Sequence, residues 1–139
     1  MELLDIFDPP NWLPVIVSTV VYFGLGAVWY NPKVFGTAWM GESGVDPNDE
    51  AAKARMPMVM GVTVVLILLS MLVLAHLVRP GAPIDKVLQV ALVLGIAFTL
   101  PISGMNALYE GKSPKFFLVN YGYHQIGIAI GAVIFALWK

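Results

Sequence analysis

The sequence predicts an all-α polytopic membrane protein with four transmembrane helices and a short interfacial helix after the first. Three observations carry this. Of 139 residues, 58% are hydrophobic and 12% charged, about half the roughly 25% charged share of soluble domains. The apolar residues fall in four blocks near the ~20 residues that cross a hydrocarbon core. Between the blocks stand proline, glycine and most of the charged residues, which break helices or need water. One domain over residues 1–139 follows. A net charge of −1 gives no footprint for a nucleic-acid partner. With no cysteine, disulfides, thiolate catalysis and cysteine-ligated metals are excluded.

The first helix is expected over residues 11–30. Glu2, Asp5 and Asp8 precede it where a signal peptide needs basic residues, so it reads as a span of the mature chain. Trp12 at one end and Trp29-Tyr30 at the other suit the two membrane interfaces. Pro14 falls in the first turn, where its missing N–H costs little. Ser18, Tyr22, Gly26 and Trp29 share roughly an 80° arc and mark the inward face. Asn31-Pro32 then reads as the cap and first residue of an interfacial helix over residues 32–40, too short to span. Residues 41–55 hold Glu42, Asp46, Asp49, Glu50, Lys53 and Arg55 and read as a solvated loop with room for a short helical turn.

The second span is expected over residues 57–78. Its polar residues, Thr63, Ser70 and His76, form no stripe, which predicts a peripheral, lipid-facing helix. Arg79-Pro80-Gly81-Ala82-Pro83 is a turn. The third span, residues 84–109, contains Pro101, which removes a hydrogen bond and displaces the Ala97 carbonyl. Gly95, Thr99, Ser103, Asn106 and Glu110 form its polar stripe. A short turn leads to the fourth span, residues 114–138, begun by Ser113-Pro114. On it Asn120, His124, Gly127 and Gly131 lie within roughly 60° of one face, which should meet protein or water.

Four spans put both termini on one side. The first and third loops carry Lys33, Lys53, Arg55, Lys112 and Lys115, against Arg79, Lys86 and Lys139 on the other side. This bias places both termini outside.

Helical rise brings Trp29, Tyr30, Thr99, Ser103, Asn106, Asn120, Tyr123 and His124 toward one leaflet. These are the candidate ligand-binding residues of a half-membrane polar pocket. The pocket would suit a small amphipathic molecule or membrane lipid. The competing reading is a closed hydrogen-bond knot: an intramembrane histidine or asparagine can simply tie two helices together. Gly127-xxx-Gly131 is the pattern of close helix packing. His76 belongs near the opposite surface, so no two-histidine metal site is expected within one chain. No glycine-rich phosphate loop, metal-binding helix motif or serine elbow is present. No catalytic residue and no cofactor is identified.

Gly26-Ala27-Val28-Trp29-Tyr30-Asn31-Pro32, Phe35-Gly36-Thr37-Ala38-Trp39-Met40, Asn106-Ala107-Leu108-Tyr109-Glu110 and Asn120-Tyr121-Gly122-Tyr123-His124 carry a resemblance. With them the chain resembles a bacterial four-helix membrane family known as domain of unknown function 1761. Members usually have serine where Asn31 stands and often alanine where Tyr121 stands. The resemblance implies a multi-pass protein of a bacterial inner membrane. It implies no activity, ligand or catalytic residue. Three functions fit the residues. The first is a non-enzymatic bundle that self-associates into a homo-oligomer. The second is a small transporter or lipid-binding subunit, and the third a small membrane enzyme using His124.

Overall fold

The computed structural model describes residues 2–31, 33–43 and 48–138. Among them are helices and turns and no strand. A 3-10 turn, Leu3–Phe7, precedes α1, Trp12–Trp29. The Asn11 side chain accepts the Leu13 N–H and so satisfies one of the free donors at the helix start.

Asn31 does not begin the next helix directly. Its side chain accepts the Lys33 N–H, its carbonyl accepts from Val34 and Gly36, and Phe35 N–H returns to the Trp29 carbonyl. The segment is thus folded back as a cap on α1. The interfacial helix α2 starts at Gly36 and ends at Ser43, later than the expected 32–40. A Cβ at Gly36 would run into the Tyr30 carbonyl, so this tight return requires glycine. The expected role of Pro32 as first helical residue lies outside the described residues.

The second span, α3, is Glu50–Leu77 and begins seven residues before the expected Pro57. Asp49 caps it by accepting the Ala51 N–H, and the alanines that follow are strong helix formers. At ~1.5 Å per residue this helix is ~42 Å long, longer than a ~30 Å hydrocarbon layer, and its first turns carry the charged residues. The polar stretch there is helix rather than loop.

The third span, Ile84–Tyr109, is broken in the middle. α4, Ile84–Leu94, passes into a π turn, Gly95–Thr99, and then α5, Leu100–Tyr109. Leu100 N–H reaches five residues back to the Gly95 carbonyl. Pro101 has no N–H to give, and the wider turn is how the chain absorbs that defect. Gly111, with φ of 69°, ends the span. Lys112 N–H bonds the Ala107 carbonyl and Gly111 N–H that of Leu108, the paired bonds of a Schellman stop. The fourth span, α6, is Pro114–Leu137, capped by Ser113 accepting the Phe116 N–H.

α6 is the central helix, touching α1, α3 and the third span. α3 packs on α1 and α6 through Ile67, Met71, Leu72, Leu74 and Ala75, while its first seventeen residues, 50–66, bury nothing. Only the first half of the second span is therefore peripheral. The core of Val15, Met71, Leu74, Ala132 and Phe135 occupies the half nearer the termini. There Gly81 N–H also ties the α3–α4 turn to the Ala136 carbonyl at 2.7 Å.

Candidate functional site

The polar side chains of α1 and α6 meet along a single seam. Tyr22 hydroxyl and His124 Nδ1 share a hydrogen bond of 2.6 Å, its direction set by which ring nitrogen carries the proton. Tyr123 hydroxyl donates to the Tyr22 carbonyl at 2.9 Å. One turn toward the loop surface, Tyr30 hydroxyl donates to Asn120 Oδ1 at 2.6 Å. Trp29 Nε1 donates to the Val119 carbonyl at 2.9 Å. The rings pack as well as bond: Tyr123 stands T-shaped to Tyr22 at 5.3 Å and to Tyr30 at 5.4 Å between centroids. Such edge-to-face geometry suits the ring quadrupoles.

Small residues make this seam close. Gly26 lies against the Tyr123 hydroxyl, Gly122 against the Trp29 ring and Gly127 against the Tyr22 ring. Gly131 instead faces Met71 and Leu74 of α3. Both members of the Gly127-xxx-Gly131 pair are used in packing within the chain.

Of the eight candidate residues, the structure brings together Trp29, Tyr30, Asn120, Tyr123 and His124. The three from the third span stand apart. Asn106 is exposed on α5, Ser103 is half-buried, and Thr99 lines a groove facing α3. Tyr22, the partner of His124, had its signal in the inward arc of the first helix. Gln125 was missed. Its Nε2 donates to the Ala91 carbonyl at 2.9 Å and its Oε1 accepts from Tyr121 at 2.8 Å. The only hint was an amide one residue from His124, pointing off the face considered.

Two spaces lie outside the seam. The groove between α3 and the third span has a volume of about 360 Å³. Leu69, Val73 and Leu77 form one wall, Leu94 and Phe98 the other, and Ile128 the floor. At the terminal end, a more open cavity is lined by Asp5, Asp8, Pro9, Pro10 and His76. His76 Nε2 is buried there without a hydrogen-bond partner.

Four long apolar helices tied by buried phenol, indole and imidazole groups define a small multi-pass α-helical membrane protein. Within that class, the chain belongs to the family described as "Protein of unknown function (DUF1761)", whose model matches residues 13–136. No curated protein and no solved structure matches it.

Proposed function

We propose that the protein is a non-enzymatic membrane component that holds one hydrocarbon chain of a lipid in the groove between α3 and the third span. The shape of that groove carries the reading. Its walls are the apolar faces of two spans, surfaces that suit a hydrocarbon chain. Its volume of about 360 Å³ falls within the ~300–1,000 Å³ of small-molecule sites. Ser70 and Thr99 supply hydroxyls among otherwise apolar walls. The polar seam then acts as the tie between α1 and α6 that keeps the scaffold rigid. The engagement of His124 by Tyr22 supports that role over acid–base catalysis.

Native mass spectrometry after mild delipidation tests this. Wild type is expected to retain lipid. Val73→Trp, which fills the groove from a residue 38% exposed, is expected to lose most of it. Val65→Trp, outside the groove, is the control. Equal retention in all three would overturn the reading.

Asn106 favours a second reading, self-association into a homo-oligomer. It is exposed one turn inside the end of the third span. An amide at that depth needs a polar partner, and the same amide of a second copy offers both donor and acceptor. Asn106→Leu should then lower the mass measured in detergent.

The basic residues favour both termini outside, in a bacterial inner membrane as the family resemblance implies. Reporter fusions after Asn48 and at the C-terminus are expected to report opposite sides, with the loop inside. The same side for both would contradict four spans.

A further inference from the structure

The middle of the third span carries a device that none of the readings above uses. The π turn Gly95–Thr99 is one residue more than a continuous α-helix needs. Two features bracket it. Pro101 withholds an N–H on one side. On the other, Gln125 reaches from α6 to donate to the Ala91 carbonyl, four residues before Gly95. The Gln125 carboxamide also fills the space that a Cβ on Gly95 would occupy. It is itself steadied by the Tyr121 hydroxyl. The residues at the end of α4 and in the turn, Leu94, Phe98 and Thr99, are those that form one wall of the groove.

We propose that the third span has two registers, the π register seen here and a continuous α register, and that Gln125 is the positioning residue that latches the first. The proposal rests on the groove reading and concerns how that site is opened. Removing the extra residue from the turn rotates one half of the span against the other by about 100° and shifts it by about 1.5 Å. The turn's N-terminal side is held by Gln125, and Gly104 beyond it packs on Phe117 of α6. Once Gln125 lets go, the rotation therefore falls on α4 and the turn, against an α5 held at Phe117. It carries Phe98 and Thr99 off the wall facing α3. An occupant that contacts this wall binds the π register better, and that difference is what shifts the population.

The chain has no cysteine of its own, so introduced pairs report without background. Cysteines replacing Val73 and Phe98 face each other across the groove and are joined by a bifunctional thiol reagent that spans it. The measurement is made on delipidated protein, so it does not depend on any bound lipid. In the otherwise native chain the pair is expected to cross-link efficiently. Gln125→Leu, which removes the latch, and Gly95→Ala, which displaces it, are each expected to lose most of that product. Melting of each variant identifies any that fails to fold, and either variant that folds decides the outcome. Undiminished cross-linking in a folded variant would overturn the two-register proposal and leave the lipid reading untouched. Unchanged lipid retention in a folded variant that shows the expected cross-linking loss would do the reverse.

Discussion

Gly127→Leu is expected to unseat α1 from α6. An added Cβ at Gly127 would stand 2.6 Å from Cε2 and Cζ of the Tyr22 ring. That ring has nowhere to retreat. The Tyr22 hydroxyl is held by His124 at 2.6 Å, the Tyr22 carbonyl accepts from Tyr123, and the two tyrosine rings pack T-shaped at 5.3 Å between centroids. Overpacking a closed core costs about 1–3 kcal/mol for small additions; alanine falls in that range and leucine beyond it. Gly131 makes the control. Its added Cβ would meet Met71 Sδ at 2.7 Å, the flexible part of an unbranched side chain that adapts to irregular space. Denaturant unfolding in one detergent should rank the losses Gly131→Ala, then Gly127→Ala, then Gly127→Leu. Equal losses for the two alanine variants would show that the Tyr22 ring is not the obstacle.

That contrast shows where reading the sequence succeeds and where it stops. Asn120, His124, Gly127 and Gly131 share one face by periodicity, and in the fold that face meets protein. Around the central helix, however, the same face touches two neighbours. Asn120, His124 and Gly127 meet α1, and Gly131 meets α3. Helical spacing fixes angles within one helix and says nothing of the angle between two. The same limit explains Asn106. Its depth matches that of Asn120 by helical rise, yet it points away from the seam. The start of α3 was legible in Asp49 followed by alanines, but the charged residues around it outweighed that cap signal. Pro101 announced a break in the third span. Gln125, which bonds the chain just before that break, lies twenty-four residues past Pro101 and on another helix, and so was beyond any local pattern.

Tyr22→Ala is expected to be nearly as damaging as Gly127→Leu, and comparison with Tyr22→Phe separates packing from hydrogen bonding. Tyr22 is 5% exposed. Its ring fills the space over Gly127 and beside Tyr123. Removing a buried aromatic side chain costs about 3–5 kcal/mol, because neighbours collapse only partly into the cavity. Phenylalanine keeps the ring and deletes the bond to His124 Nδ1. Hydrogen bonds between membrane helices average about 0.6 kcal/mol and reach about 1.7, so Tyr22→Phe should cost far less than Tyr22→Ala. His124→Leu removes the same bond from the other side. In a double-mutant cycle with Tyr22→Phe, the coupling should match the cost of one such bond. This outcome describes a seam whose strength lies mainly in ring packing, with the imidazole fixing register. A coupling near zero would mean that His124 holds its place without Tyr22. Loss of bound lipid in His124→Leu at unchanged stability would move the binding site from the groove to the seam.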